Sequence, residues 1–249
     1  MDTTEFAGRV AVVTGGSEGM GYDFCRTLCE AGCEVYFCSR NPDKGRLAAK
    51  SLGRNAHYFQ ADLSAPDQIT AFAAHVREAA GRIDYLVNNA ANDDRIKFDK
   101  LTVEECDRMW NLNLRSFLLM SRACLELLRS GEGRSIVNIS TTNYMFGFEP
   151  FTIYNATKSG ILGFTRSLAR ELGPEGMRVN MISPGWIMTE KQLRKYVSEE
   201  DKKELLRDQC VKHLIEAKHV SPVMLFLLSS AACAISGQNL VVDGGKYFQ

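Results

Sequence analysis

Residues 9–21 read Arg9-Val10-Ala11-Val12-Val13-Thr14-Gly15-Gly16-Ser17-Glu18-Gly19-Met20-Gly21. A short apolar run without polar alternation is the pattern of a strand buried on both faces. It breaks at glycine, and an amphipathic stretch from Met20 to Glu30 follows and stops at Gly32. The segment is therefore a strand, a tight turn and a helix. Gly15 can take the turn, Gly19 lets the backbone approach a pyrophosphate, and Gly21 lets the helix pack on the sheet, while the helix N-terminus supplies free N–H groups and positive partial charge. That context makes the turn a dinucleotide site with Gly15, Ser17, Glu18, Gly19, Met20 and Gly21 as candidate contacts. Its spacing, Gly-x-x-x-Gly-x-Gly, departs from the usual Gly-x-Gly-x-x-Gly.

Outward from this unit the same alternation continues. Strand-like runs recur at 34–38, 57–59, 83–87, 135–139, 178–182 and 239–242, with helical patterns between them. Helix starts are marked by Asn41 before Pro42, by Ser64 with Asp67 three further on, and by Thr102 with Glu105 as a capping box. Strands separated by helices imply a parallel sheet covered on both faces. The expected fold is thus a Rossmann-type, doubly wound α/β domain with a seven-stranded parallel sheet, one dinucleotide-binding catalytic domain over 1–249. A charged, helix-prone excursion from Glu190 to Lys218 interrupts the pattern where ligands bind in open α/β folds, and is read as a helical substrate lid.

Composition narrows the class. Of 249 residues, 45% are apolar and 24% charged, which excludes a disordered or fibrous chain. Thirty basic residues balance thirty acidic ones, and with the signs interspersed neither nucleic acid nor an anionic membrane is an expected partner. The first residues lack a positive flank and an apolar core, and the longest apolar stretches, such as 223–228, are too short to span a bilayer. Cys25, Cys29, Cys33 and Cys38, among eight cysteines, are spaced by four, four and five. That spacing suits reduced thiols in a soluble cytoplasmic protein, and no metal site is expected.

Two further stretches carry chemistry. Tyr154 and Lys158 stand one turn apart on a helix expected to begin near Tyr154, to end at Gly173-Pro174, and to bury Ile161, Phe164, Leu168 and Leu172. A cation then lies near a phenol. Unperturbed tyrosine titrates at about pH 10, so a base at neutrality needs the electrostatic help that a lysine and an oxidised nicotinamide can supply. The second strand ends in Cys38-Ser39-Arg40-Asn41, a neutral residue beside an arginine where an acidic side chain would bond an adenosine 2′-hydroxyl. Ser39 and Arg40 favour NADP over NAD, whereas the Glu18 carboxylate would repel a 2′-phosphate.

Asn88-Asn89-Ala90-Ala91, Asn113, Tyr154-Asn155-Ala156-Thr157-Lys158 and Pro184-Gly185-Trp186-Ile187-Met188-Thr189, taken with the glycine turn, resemble the short-chain dehydrogenase/reductase family over nearly the whole chain. The segments 88–93 and 184–192 and the ending Val242-Asp243-Gly244-Gly245 are most similar to its sugar 1-dehydrogenases, of the D-xylose and D-galactose kind. The resemblance implies proton transfer by Tyr154, ribose binding by Lys158, and a water-linked relay at Asn113. It also implies adenine contacts at Asp62 and Leu63, ribose-side contacts from Asn89, Ala90 and Ala91, and nicotinamide contacts among Pro184, Gly185, Ile187 and Thr189. The family's substrate-polarising serine usually stands thirteen residues before the tyrosine. Here that position is Thr141, while Ser140 has the expected residue type. Spacing favours Thr141, and a bulge would reverse the choice.

The expected activity is hydride transfer between NAD(P) and a small-molecule alcohol or carbonyl, with an aldose or polyol the leading substrate. Amides and carboxylates at Asn92, Asp93, Asn143, Glu190 and Gln192, with Tyr144 and Trp186, suit sugar hydroxyls. Phe146, Phe148 and Phe151 would equally suit an apolar or aromatic ketone reduced with NADPH. A catalytically weak dinucleotide sensor is the alternative from another class. The resemblance further implies a homotetramer.

Overall fold

The computed structural model describes residues 3–248. All seven expected strands form: β1 (Val10–Thr14), β2 (Glu34–Ser39), β3 (Ala56–Gln60), β4 (Tyr85–Asn88), β5 (Ser135–Ile139), β6 (Arg178–Pro184) and β7 (Asn239–Val242). They build one parallel sheet in the order β3-β2-β1-β4-β5-β6-β7. The chain winds outward from β1 to β3, then crosses back to place β4 on the other side of β1. This reversal opens a crevice at the carboxyl ends of β1 and β4.

Among the described residues ten α-helices connect and cover the strands: α1 (Gly19–Glu30), α2 (Pro42–Leu52), α3 (Pro66–Ala80), α4 (Val103–Trp110), α5 (Ser116–Ser130), α6 (Asn143–Phe146), α7 (Thr152–Leu172), α8 (Glu190–Lys195), α9 (Glu199–Asp208) and α10 (Ala217–Leu228). Successive side chains of a strand face opposite ways, and β1 shows the consequence. Ala11 and Val13 join Phe24 and Leu28 of α1 and Val220, Met224 and Leu227 of α10, whereas Val10 and Val12 join Ile69, Phe72 and Val76 of α3 and Met120, Cys124 and Leu127 of α5. Both faces are dry, so the run needs no polar alternation. Cys25, Cys33 and Cys38 are fully buried among these residues. Burial pushes the Cys33 and Cys38 thiols up to about 12, so they serve as small apolar groups.

Local signals placed most of the helix starts. Asn41 accepts the backbone N–H groups of Asp43 and Lys44, both at 3.0 Å, and Thr102 and Glu105 form the expected capping box. Ser64 does not cap its helix. Asp62 captures both the N–H and the hydroxyl of Ser64 in a turn, and α3 starts two residues later with Pro66 in its first turn. Helix α7 likewise begins at Thr152, and its buried face is Ile153, Thr157, Lys158, Ile161, Thr165, Ala169 and Leu172, leaving Phe164 and Leu168 half-buried.

Asp84, fully buried at the amino end of β4, accepts the N–H groups of Val10 at 2.8 Å, Glu132 at 2.8 Å and Gly133 at 3.1 Å. Burial alone would raise its carboxyl, but these bonds and Arg9 hold it below the usual carboxylate range. One side chain thus ties β1, β4 and the entry to β5 at the end opposite the crevice.

At the crevice end the glycine turn has little tolerance. A Cβ on Gly21 would stand 2.0 Å from the Gly15 carbonyl oxygen, so this glycine lets α1 pack against the turn itself. Replacing Gly21 with alanine should destabilise the protein by about 1–3 kcal/mol and lower Tm by several degrees. Thermal unfolding followed by circular dichroism measures this, and an unchanged Tm would contradict the packing described.

Candidate active site

A cleft of about 1500 Å³ follows the carboxyl ends of β1, β2, β4, β5 and β6. It exceeds the roughly 300–1,000 Å³ of an ordinary small-ligand pocket, which leaves space for a dinucleotide and a second molecule. At one end lie Gly15, Ser17, Glu18, Gly19, Met20, Gly21, Ser39, Arg40 and Leu63. At the other lie Ser140, Thr141, Tyr154, Lys158, Pro184, Gly185, Ile187 and Thr189, with Asn89, Ala90 and Ala91 between. Asp62 and Asn113 are not part of the lining. The Asp62 carboxylate is held by Ser64, and the Asn113 side chain bonds the Asn92 backbone.

The cofactor end fits a dinucleotide on its own geometry. Gly15 and Gly19 adopt φ of +71° and +59°, a region that strains any side chain. A Cβ on Gly19 would meet nothing nearer than Thr189 Cγ2 at 3.5 Å, so its backbone is open to an approaching phosphate at the start of α1. Glu18 precedes α1 without capping it, and its carboxylate instead meets Lys44 Nζ at 2.5 Å. The Arg40 side chain is exposed along the cleft, and its guanidinium has no acidic partner among the described residues. Gly16, which sequence reasoning passed over, is equally constrained, since a Cβ there would come within 2.7 Å of Cys25 Sγ and Phe37 Cβ.

At the other end α7 carries Tyr154 and Lys158 on its inward face. Lys158, 2% exposed, donates from Nζ to the Ile139 carbonyl at 2.9 Å, with Nζ 5.9 Å from the Tyr154 ring centre. Ser140 donates to the Lys158 backbone carbonyl at 2.9 Å and so braces α7 against the end of β5. Thr141, beyond the strand, lies near enough to Tyr154 to lower its phenol, and its hydroxyl accepts the Asn143 N–H at 3.1 Å. The two hydroxyls are thereby distinguished: Thr141 stands beside the phenol and Ser140 is occupied elsewhere.

Burial dominates the electrostatics of the pair. It pushes the Tyr154 phenol well above its ordinary value, with the nearby Asp93 charge adding to the rise and the Thr141 hydroxyl opposing it. It pushes the Lys158 ammonium down to about 7, against the pull of Asp93. Both groups are therefore biased towards neutrality.

Asn113 lies in a π-helical turn, Asn111–Arg115, between α4 and α5, a local distortion frequent at functional sites. Its side chain accepts the Asn92 N–H and donates to the Asn92 carbonyl, both at 2.8 Å. It holds the loop after β4. Beyond this loop the mouth is lined by Asn92, Asp93, Asn143, Trp186, Glu190 and Gln192, with Phe146, Phe148 and Phe151. Tyr144 instead packs with Leu114, Phe117, Ile161 and Met181. Arg95 and Lys191, which no motif marked, also line the mouth.

A dinucleotide cleft that ends in a buried lysine, a phenol and a hydroxyl has the parts of a nicotinamide-dependent oxidoreductase. Residues 15–246 match a family model described as enoyl-(acyl carrier protein) reductase. The chain is 34% identical to a protein of Rhizobium meliloti (strain 1021) named as a probable galactose dehydrogenase, over 96% of this chain and 95% of the relative. It is 33% identical to the D-xylose 1-dehydrogenase of Caulobacter vibrioides (strain NA1000 / CB15N), with the same shares covered, and 32% identical to the cyclopentanol dehydrogenase of Comamonas sp. (strain NCIMB 9872), over 95% and 96%. A solved chain assigned as a short-chain alcohol dehydrogenase of Sinorhizobium meliloti 1021 superposes with a TM-score of 0.90 at 28% identity, covering 96% of both chains. The chain belongs to the short-chain dehydrogenase/reductase family and is an NAD(P)-dependent enzyme. Among the described residues no helix is long and apolar enough to cross a membrane.

The direction of the Tyr154 shift has a spectroscopic consequence. In the ligand-free protein the wild type minus Tyr154→Phe difference spectrum should show no phenolate band near 295 nm up to about pH 10, the ordinary tyrosine value. A phenolate appearing with a midpoint near neutrality would contradict the electrostatics described.

Proposed function

We propose that the protein oxidises an aldose or related polyol at its anomeric carbon to a lactone, with NADP as the hydride acceptor. The observation that carries this reading is the placement of Thr141, Tyr154 and Lys158 at one end of the cleft, facing a mouth rich in amides and carboxylates. Bound oxidised nicotinamide supplies the acceptor for the hydride leaving the anomeric carbon. Tyr154 Oη takes the proton of the anomeric hydroxyl, and Thr141 holds and polarises the same oxygen. Lys158 favours the phenolate by its charge when protonated and binds the nicotinamide ribose, while Ser140 keeps α7 in register with β5. Asn113 supports the proton relay by fixing the Asn92 backbone. Leu63 packs on the adenine side, with the turn 15–21 on the pyrophosphate, Asn89 to Ala91 along the ribose, and 184–189 beside the carboxamide. Helices α8 and α9, within the segment 190–218, cover the substrate as a lid.

NADP is favoured over NAD by the free Arg40 guanidinium beside neutral Ser39. The objection raised by Glu18 weakens because Lys44 neutralises its carboxylate. The sugar reading draws support from the galactose and D-xylose relatives. A second reading, reduction of an apolar cyclic ketone, draws support from Phe146 stacked on Phe148 at 4.9 Å in the cleft wall and from the cyclopentanol dehydrogenase relative. We also read the chain as a cytoplasmic homotetramer; exposed Trp110 and Leu118 beside and on α5 supply apolar surface for such contacts.

Initial rates at 340 nm over a panel of aldoses and cyclic alcohols, with NADP and NAD in parallel, test the proposal. Turnover of an aldose is expected, with kcat/KM at least about tenfold higher for NADP, the effect of one charge-assisted hydrogen bond. Preference for NAD would overturn the cofactor assignment. Activity confined to apolar ketones with NADPH would replace the sugar reading by the second one, and silence with cofactor bound would bring the sensor forward.

A further inference from the structure

Helix α8 buries none of its six residues, and an isolated helix this short is not stable in water. Its position over the cleft must come from outside it. Two residues of the loop after β4 grip it at opposite ends. At the start of α8, Lys191 Nζ lies 2.5 Å from Asp93 Oδ1 and Gln192 Nε2 donates to Asp93 Oδ2 at 2.7 Å. At the far end, the Arg95 guanidinium stacks 3.9 Å from the ring centre of Tyr196 and 5.7 Å from that of Trp186.

The polarity of the bonds at Asp93 is fixed by chemistry. Gln192 Oε1 accepts from the Trp186 indole at 2.9 Å while its amide nitrogen donates to Asp93. An indole N–H can only donate and an ionised carboxylate can only accept, so the bridging side chain must present both functions, as a primary amide does. Burial would raise the Asp93 carboxyl, but Lys191 and Gln192 outweigh it and hold it below the usual carboxylate range. Asp93 is therefore ionised at neutral pH, with both oxygens committed to α8. The same loop is anchored one residue earlier, where Asn113 bonds the Asn92 backbone. A continuous chain of contacts thus runs from the π-helical turn through Asp93 to α8 and Trp186.

We propose that Asp93 is a positioning residue that latches α8 over the cleft through Lys191 and Gln192, and by way of Gln192 sets the Trp186 ring against the substrate. Its function as a latch rests on the reading of α8 and α9 as a substrate lid. Asp93 takes no proton from the substrate. It sets how tightly the substrate is enclosed, and its loss acts on substrate binding more than on the chemical step.

Three variants test this. Asp93→Asn removes the charge, Lys191→Met removes the ion pair, and Gln192→Glu keeps an acceptor for Trp186 but sets carboxylate against carboxylate. In NADP-saturated protein, tryptic cleavage after Arg194 and Lys195 should quicken about tenfold, matching the loss of a charge-assisted hydrogen bond, with the Gln192→Glu variant fastest. Tm and the NADP Kd should stay close to wild type. With a substrate in hand, KM should rise by a similar factor in Lys191→Met and Gln192→Glu while kcat changes little; Asp93→Asn also removes a charge felt by Tyr154 and Lys158, so it is read by proteolysis alone. Unchanged cleavage in Lys191→Met and Gln192→Glu, or a fall in kcat with KM unaffected, would overturn the latch. Proteolysis needs no substrate, so its result stands whichever substrate class the rate panel identifies.

Discussion

The fold depends on one junction, where Thr14 at the end of β1 meets the loop leaving β4. The Thr14 hydroxyl accepts the N–H groups of Asn89 at 2.8 Å and Ala90 at 3.0 Å, and its carbonyl accepts from the Asn89 side chain at 2.9 Å. These bonds sit at the reversal of strand order, where the backbone would otherwise leave unpaired polar groups beside a buried sheet. They press the glycine turn against the loop so closely that a Cβ on Gly15 would lie 3.0 Å from Ala90 Cα. From that seam the loop runs on to Asn92, held by Asn113, and to Asp93, bonded to α8. A single stretch of chain therefore touches the dinucleotide cradle, the π-helical turn and the proposed lid.

The proposed proton pair is governed by exclusion of water more than by mutual attraction. Lys158 donates to a backbone carbonyl and lies over the rings of Phe117 and Tyr154, contacts that favour its charged form, yet burial still brings it down to about 7. The phenol beside it is pushed the other way. A pocket with this balance keeps a neutral phenol at rest and responds strongly to any positive charge added to it, because charges interact more strongly where water is scarce. Asp93 contributes a fixed negative charge to the same region.

Much of this was legible in the sequence because its causes are local. The apolar run 10–14, the break at Gly15 and the caps at Asn41 and Thr102 each involve residues a few positions apart, and all appear where expected. The thirteen-residue spacing pointed to Thr141, whose hydroxyl lowers the Tyr154 phenol. What was not legible joins distant positions. Asp84 braces Val10 and Glu132, Lys44 neutralises Glu18, and Lys191 reaches back to Asp93, each across a separation that no periodicity encodes. Ser64 misled because Asp62 competes for the same donors at shorter range, and the second role of Ser140 depends on where α7 docks.

In the proposed reaction Tyr154 moves the proton while the rest of the cleft binds. Titration calorimetry of NADP binding, paired with single-turnover hydride transfer in Tyr154→Phe, separates the two. The expected result is a Kd within a few-fold of wild type and a transfer rate lower by about 10²–10⁴, the usual contribution of a positioned acid or base. A variant that binds NADP and still transfers hydride at a rate near wild type would contradict it.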